Sequence, residues 1–378
     1  MQKIDRYIKN NIVEKLQPNK VVVLYGPRQV GKTTLVKEIL ENVKEKYLFL
    51  NGENRSVQKW LSCQEVDIFK QYIGNNKLLV IDEAQKIPNI GLNLKLIVDH
   101  FDGIKVLATG SSSFELANQV GEPLVGRKWQ FTLYPISQLE LKAYENRGET
   151  DNKLESKLIY GSYPDVVKED DFAQKRDILN EIVDSYLYRD LLEFNEIKKS
   201  QKIIDILKNI AFQIGGEVSL QELGNSVSLN LRTVEKYLDL LEKTFVVKRV
   251  YGFSRNLRKE ITKMSKFYFF DNGVRNAIIQ NFNTLDLRND IGQLWENYLF
   301  MERLKKNEYK KIRSNIYFWR TYDKKEIDLI EEREGKLFGF EFKYGENKKV
   351  KPPKGWLETY KEAEFEVISK GSYLDFIT

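Results

Sequence analysis

Cysteine and histidine are almost missing from this sequence: Cys63 and His100 stand alone among 378 residues. One thiol cannot close an intramolecular disulfide, and one thiol with one imidazole leaves no ligand set for a His/Cys zinc site. This scarcity fits a reducing compartment, so a cytoplasmic location is expected. Long apolar runs are missing as well. The longest are strand-sized, far below the roughly 20 residues that span a bilayer, and Met1-Gln2-Lys3-Ile4-Asp5-Arg6 contains no apolar stretch of the signal-peptide kind. Neither a transmembrane helix, a signal peptide nor a membrane partner is expected. No sign of charge dominates: the formal net charge is +6 and the pI about 8.9, which permits nucleic-acid contact without arguing for it.

What remains is ample material for cores, with 42% hydrophobic and 31% charged residues. The length suggests about two to three domains. In the first third, apolar runs at Val21–Tyr25, Tyr47–Leu50, Leu78–Ile81 and Ile104–Ala108 alternate with amphipathic stretches, which predicts a parallel sheet with crossover helices, an α/β fold. Residues 151–200 read as a helical lid or connector, with Tyr186, Leu187, Leu191 and Leu192 at core-like spacing. Residues 201–284 read as a winged helix. A helix over Ile203–Ile214 ends at Gly215-Gly216, Ser219 and Glu222 make a capping box for a short second helix, and Leu231–Lys243 forms a third. Strands Phe245–Tyr251 and Lys266–Asp271 then flank a basic connection with Arg255, Arg258 and Lys259. Residues 285–378 read as a separate small α/β module. Its helix passes through Trp295, Glu296 and Leu304, and its strands are Ile316–Arg320, Lys325–Glu331 and Leu337–Tyr344.

Gly26-Pro27-Arg28-Gln29-Val30-Gly31-Lys32-Thr33 satisfies G-x-x-x-x-G-K-[ST] between an apolar strand and a helix start, the context a phosphate-binding loop requires. Its amides and the helix N-terminus would wrap the phosphates of ATP, with Thr34 opening the helix; Lys32 would reach the β- and γ-phosphates and the Thr33 hydroxyl would ligate Mg²⁺. Asp82 and Glu83 close the apolar run Leu78–Ile81. Asp82 would hold Mg²⁺ through water, and Glu83 would polarise the attacking water, making hydrolysis the expected reaction. The run Ala108-Thr109-Gly110-Ser111-Ser112-Ser113 offers Thr109 and Ser111 either as groups that sense the γ-phosphate or as a turn capping the next helix. Arg127 is either an arginine finger, acting on its own or a neighbouring subunit, or a solvated strand-start residue.

With these residues in view, the chain resembles a prokaryotic family of AAA-type P-loop ATPases, related to archaeal and STAND-like ATPases, whose C-terminal half was long catalogued as a domain of unknown function. The resemblance runs through Gly26–Thr34, Ile81-Asp82-Glu83, Thr109-Gly110-Ser111-Ser112, Gly126-Arg127, Gly161-Ser162-Tyr163-Pro164, Tyr188-Arg189-Asp190, Thr233-Val234 with Tyr237-Leu238, and Trp295-Glu296-Asn297. Ser162 replaces the family's usual second glycine, and Asp271-Asn272-Gly273 stands for its usual Asp-Thr-Gly. The resemblance implies an ATP-binding domain at 1–150, a winged helix, and a C-terminal fold related to restriction-type nucleases.

The residues of that last region allow two readings. A two-residue turn at Glu334-Gly335 would set Asp328 directly across from Glu341, with Lys343 on the same face, so the like charges need a cation between them. Mg²⁺ there, with Glu296 contributing a further carboxylate and Lys343 beside a scissile phosphate, would make a D…E-x-K nuclease core. Alternatively, the acids face water and are neutralised by Lys343 and Lys325. The winged helix is also ambiguous. Its third helix presents Arg232, Glu235, Lys236 and Asp239 outward, poor for reading bases, so the wing and the basic stretch Arg303–Arg313 either grip a DNA backbone or the module serves protein contact or domain packing. A homo-oligomer or a protein partner is a further expectation.

Overall fold

The computed structural model describes residues 3–111, 123–187, 200–254, 265–321, 325–345 and 350–378. They form two compact units: residues 5–135 with 243–245, and residues 136–242 and 246–378 with Lys3 and Ile4. The main segment of the first unit thus ends at residue 135.

The N-terminal unit is a parallel sheet of β1 (Lys20–Tyr25), β2 (Tyr47–Asn51), β3 (Leu78–Asp82), β4 (Lys105–Gly110) and β5 (Lys128–Thr132), in the order β2-β3-β4-β1-β5. Val21, Val22, Val23, Leu79, Val80, Ile81, Val106 and Leu107 are buried on both faces, as parallel strands between helical layers must be. The helices are α1 (Lys9–Lys15), α2 (Lys32–Leu40), α3 (Arg55–Leu61), α4 (Val66–Ile73) and α5 (Ile90–His100). The register sets Tyr25 beside Gly110 and Ile81 beside Ala108. The C-terminal ends of β1, β3 and β4 thus share one edge, where an open α/β sheet binds its ligand.

The C-terminal unit begins with helices α6 (Gln138–Leu141), α7 (Arg147–Tyr160), α8 (Pro164–Lys168) and α9 (Phe172–Glu181). The stretch expected as a lid belongs to this unit. Its α7 docks on α13 (Asn272–Ile278), where Asn276 Nδ2 donates to the carbonyls of Leu158 (3.3 Å) and Ile159 (2.7 Å). Of the lid residues singled out, Leu191, Leu192 and Tyr188-Arg189-Asp190 lie outside the described residues, as do the side chains of Tyr186 and Leu187.

Next come α10 (Ser200–Phe212), β6 (Glu217–Val218), α11 (Leu220–Val227), α12 (Leu231–Lys243), β7 (Val247–Gly252) and β8 (Ser265–Phe269). This is the helix, helix, helix and ribbon succession expected from sequence, with Ser219 accepting from the Glu222 amide at 3.3 Å. After α13 follow α14 (Ile291–Tyr309), β9 (Asn315–Arg320), β10 (Glu326–Arg333), β11 (Lys336–Phe342), α15 (Lys354–Thr359), β12 (Glu364–Ile368) and α16 (Tyr373–Ile377). The two segments read as separate modules share one sheet, β12-β11-β10-β9-β7-β8-β6. The join is short: among the described residues β7 pairs with β9 through Tyr251 with Tyr317 and Gly252 with Phe318. No described helix is long and apolar enough to cross a membrane.

Candidate functional site

At the shared edge of the N-terminal unit, residues 26–34 leave β1 and turn into α2. Gly26 has φ +151, and a Cβ there would lie 2.3 Å from the Leu133 carbonyl oxygen; Gly31 has φ +94. Both positions need glycine, the first for close approach as well as conformation. Arg6 fastens the loop from outside, donating from Nη1 to the Val30 carbonyl at 2.7 Å and from Nη2 to Tyr134 at 2.5 Å. Lys32 is buried, and its Nζ donates to the Gly26 and Pro27 carbonyls, each at 2.8 Å.

Asp82 gathers the neighbouring strands. Its Oδ2 accepts from the Thr33 hydroxyl at 2.8 Å, and its Oδ1 accepts from the Thr109 hydroxyl. The Glu83 amide donates to Thr109 Oγ1 at 3.2 Å. Glu83 itself has φ +52, a left-handed backbone that turns the chain out of β3 into the single helical turn Ala84–Lys86. Gln85 then bridges two expected site residues: its Nε2 donates to Glu83 Oε2 at 2.5 Å and to Ser111 Oγ at 2.8 Å. Gln85 was missed in sequence because a glutamine two residues past an acidic pair carries no spacing signal. Its burial is what marks it.

Lys32, Thr33, Asp82, Glu83, Thr109 and Ser111 are therefore together. Ser112 and Ser113 lie outside the described residues. Arg127 is not at this edge. It precedes β5, whose Lys128 pairs with Val21 at the opposite end of β1, and its Nε meets Asp99 Oδ1 at 2.7 Å. In its own subunit it is a strand-start residue in a surface ion pair, because the parallel register carries it a strand length from the loop.

The residues fit Mg²⁺ with a nucleotide. The Thr33 hydroxyl and the Asp82 carboxylate are already adjacent, and this ion takes most of its remaining oxygens from phosphate and water.

The C-terminal acids form a different kind of cluster. The β10–β11 hairpin turns at Glu334 (φ +49) and Gly335 (φ +79) as expected, and its register runs from Arg333 with Lys336 to Leu329 with Phe340, beyond which the Phe342 amide donates to Asp328 Oδ2 at 2.8 Å. Asp328 and Glu341 are both buried, which overturns the water-facing alternative. Among the described residues no three Asp, Glu, His or Cys side chains are grouped to hold a metal ion. Lys266 stands among the acids of this cluster, its Nζ 3.0 Å from Glu296 Oε1, in contact with Glu326 Oε1 and 4.0 Å from Asp328 Oδ1. Lys343 pairs with Glu341 Oε1 at 2.5 Å.

Burial and the neighbouring Glu296 push the Asp328 carboxyl well above its ordinary range, and burial raises that of Glu341. Burial opposes the charge on Lys266, but Glu296, Asp328 and Glu326 outweigh it and raise its pKa. The one visible signal for Lys266 is a lone charge in a strand whose every residue is buried.

The basic stretch expected to grip DNA is partly internal. Arg303 is buried in a bidentate pair with Glu331, at 2.8 and 2.9 Å, and Lys305 is buried beside Glu302 at 2.7 Å. Both face the sheet or the helical layer because α14 is enclosed around most of its circumference. Arg232, Glu235, Lys236 and Asp239 are exposed on α12, as expected, and Arg255, Arg258 and Lys259 lie outside the described residues.

Comparison with known proteins matches residues 18–142 to an AAA domain family. Residues 151–285 and 291–374 match two families described as domains of unknown function, DUF8612 and DUF4143. An uncharacterized protein of Methanocaldococcus jannaschii is 25% identical over 317 residues, covering 79% of this chain and 69% of that one. Another from Mycobacterium tuberculosis is 27% identical over 329 residues, covering 85% and 70%. A proteasome-associated ATPase of Nakamurella multipartita is 28% identical over 103 residues, covering 26% of this chain and 17% of its own. Among solved structures, Thermotoga maritima RuvB aligns over 61% of this chain and 82% of its own, at 17% identity and a TM-score of 0.33. The family match and the loop geometry fall on the same stretch: residues 18–142 match an AAA domain family and contain the loop 26–34.

Proposed function

We propose that the chain binds ATP with Mg²⁺ in the loop 26–34 and hydrolyses it. The observation that carries this reading is the bridge from Thr33 through Asp82 to Thr109, which brings together a candidate metal-ligating hydroxyl, its supporting carboxylate and the neighbouring strand end. Bound Mg²⁺ would neutralise phosphate charge, ligated by Thr33 and, through water, by Asp82. Lys32 exchanges the Gly26 and Pro27 carbonyls for phosphate oxygens. Glu83, held by Gln85, accepts a hydrogen bond from the attacking water and draws off its proton. Ser111, on the other side of Gln85, reports the state of the γ-phosphate to the same glutamate.

Calorimetry and steady-state hydrolysis test the assignment. Lys32→Ala abolishes ATP binding. Glu83→Gln binds ATP but turns it over roughly 10²- to 10⁴-fold more slowly. Undiminished hydrolysis by Glu83→Gln would remove that residue from the mechanism.

The second unit supports a switch more than a nuclease, since Lys266 stands among the acids a metal would need. In this reading ATP turnover changes how the C-terminal unit is presented to a partner. Exposed Arg232, Lys236, Lys311 and Arg313 support DNA as that partner. A gel-shift series with increasing salt tests it: binding weakens with salt and with Arg232→Ala plus Lys236→Ala, whereas salt-independent retention argues for a protein partner.

A further inference from the structure

The C-terminal unit places three carboxylates, Glu296, Glu326 and Asp328, around one lysine, Lys266, whose side chain is only 1% exposed, while the neighbouring Glu341 is paired with Lys343. We propose that Lys266 is the resident cation of this cluster, standing where the D…E-x-K pattern calls for a divalent metal, so that Asp328 and Glu341 belong to a buried ion-pair knot and not to a hydrolytic centre. The inference concerns a different unit from the nucleotide site and does not depend on ATP hydrolysis.

Three features carry it. First, the position is filled. An ammonium takes partners at about 2.7–3.0 Å, whereas Mg²⁺ requires an octahedron of oxygens at about 2.0–2.1 Å, so the two cannot share one set of carboxylates. Lys266 Nζ contacts Glu296 and Glu326 directly, reaches Asp328 at 4.0 Å, and lies 5.5 Å from the centre of the Phe318 ring.

Second, the carboxylate oxygens are engaged by protein donors. The Tyr268 hydroxyl donates to Glu296 Oε1 at 2.6 Å, the Phe342 amide to Asp328 Oδ2 at 2.8 Å, and Lys343 to Glu341 Oε1 at 2.5 Å. Arg320 Nη1 lies 3.5 Å from Glu326 Oε2. Glu341 Oε2 is buried without a partner, and a single oxygen does not make a metal site.

Third, the knot crosses a short join in the sheet. Lys266 belongs to β8, Glu326 and Asp328 to β10, and between them, among the described residues, β7 and β9 share the pairs at Tyr251 and Gly252. An ammonium that ties β8 and α14 to β10 supplies the cohesion the short backbone join lacks.

The test uses full-length, nucleotide-free protein and Mn²⁺ alone as probe. Mn²⁺ binding is followed by electron paramagnetic resonance in wild type and Asp328→Asn, and thermal unfolding is compared between wild type and Lys266→Met. The expected result is identical Mn²⁺ titrations for wild type and Asp328→Asn. Lys266→Met should lower the melting temperature of the C-terminal transition by roughly 10 °C, because it strands the carboxylates without their cation. Mn²⁺ uptake by wild type that disappears in Asp328→Asn overturns the proposal, as does a Lys266→Met variant that melts like wild type. If Lys266→Met does not fold, the Mn²⁺ comparison decides by itself.

Discussion

Gln85 is the residue on which the nucleotide site turns once the expected positions are in place. It holds Glu83 Oε2 with the same Nε2 that reaches Ser111, so the glutamate cannot rotate freely and its geometry is tied to the end of β4. Gln85→Leu removes both bonds at similar volume. Equilibrium nucleotide titration should be unchanged while kcat falls by about 10- to 100-fold, the usual cost of misplacing a reacting group; a changed affinity with intact kcat would assign Gln85 to binding instead. Gly161 shows another dependence on one residue. It has φ +74, and a Cβ there would fall 1.9 Å from Asp271 Oδ1, while the Asp271 carboxylate accepts from the Ser162 and Val274 amides at 2.7 and 3.1 Å. The motifs around Gly161 and Asp271 thus lock onto each other. Gly161→Ala should destabilise the C-terminal unit by about 3 kcal/mol or more in urea unfolding, with ATP affinity unaffected.

At the scale of elements, α14 explains both what the sequence shows and what it hides. The parallel strands, the phosphate loop and the Glu334-Gly335 hairpin are legible because local chemistry dictates them: β-branched runs, glycines at positive φ, and a two-residue turn that fixes register. The role of Arg303 and Lys305 is not, since a basic run on a helix reads as a solvated face unless its partners are known, and Glu331 lies on β10. Lys266 was hidden likewise, its partners standing on α14 and β10. Arg303 bonds both oxygens of the fully buried Glu331, and Asn307 Nδ2 adds a third bond at 2.7 Å. Arg303→Met leaves that charge buried without its main partner and should cost about 3–5 kcal/mol. A double variant with Glu331→Leu should recover much of the loss, and failure to recover would mean that packing against Phe340 and Phe376 dominates.

At the scale of the whole molecule, pH acts on the C-terminal unit through buried carboxyls of two kinds, Asp328 and Glu341 being held up while others are held down. In the C-terminal unit Glu145, Asp290 and Glu331 sit below their ordinary pKa: burial works against ionisation, but Lys157 and Lys153, Arg288 and Arg275, and Arg303 respectively outweigh it. The unfolded chain then binds more protons than the folded one as pH drops past about 4, so this stability is present above the ordinary carboxylate range and is lost as pH falls through the folded values. Tryptophan fluorescence should register acid unfolding of this unit through Trp295, Trp319 and Trp356, and Arg303→Met should shift the transition to higher pH.

The short pairing between β7 and β9 has a consequence of its own. Hydrogen–deuterium exchange should reach the Phe253 amide, which donates to the Phe318 carbonyl across this join, before those in the long β10–β11 ladder, because a ladder this brief opens without disturbing the strands on either side. The domain would then yield as two stiff plates about a crease, and evolution could retune one plate while leaving the other intact.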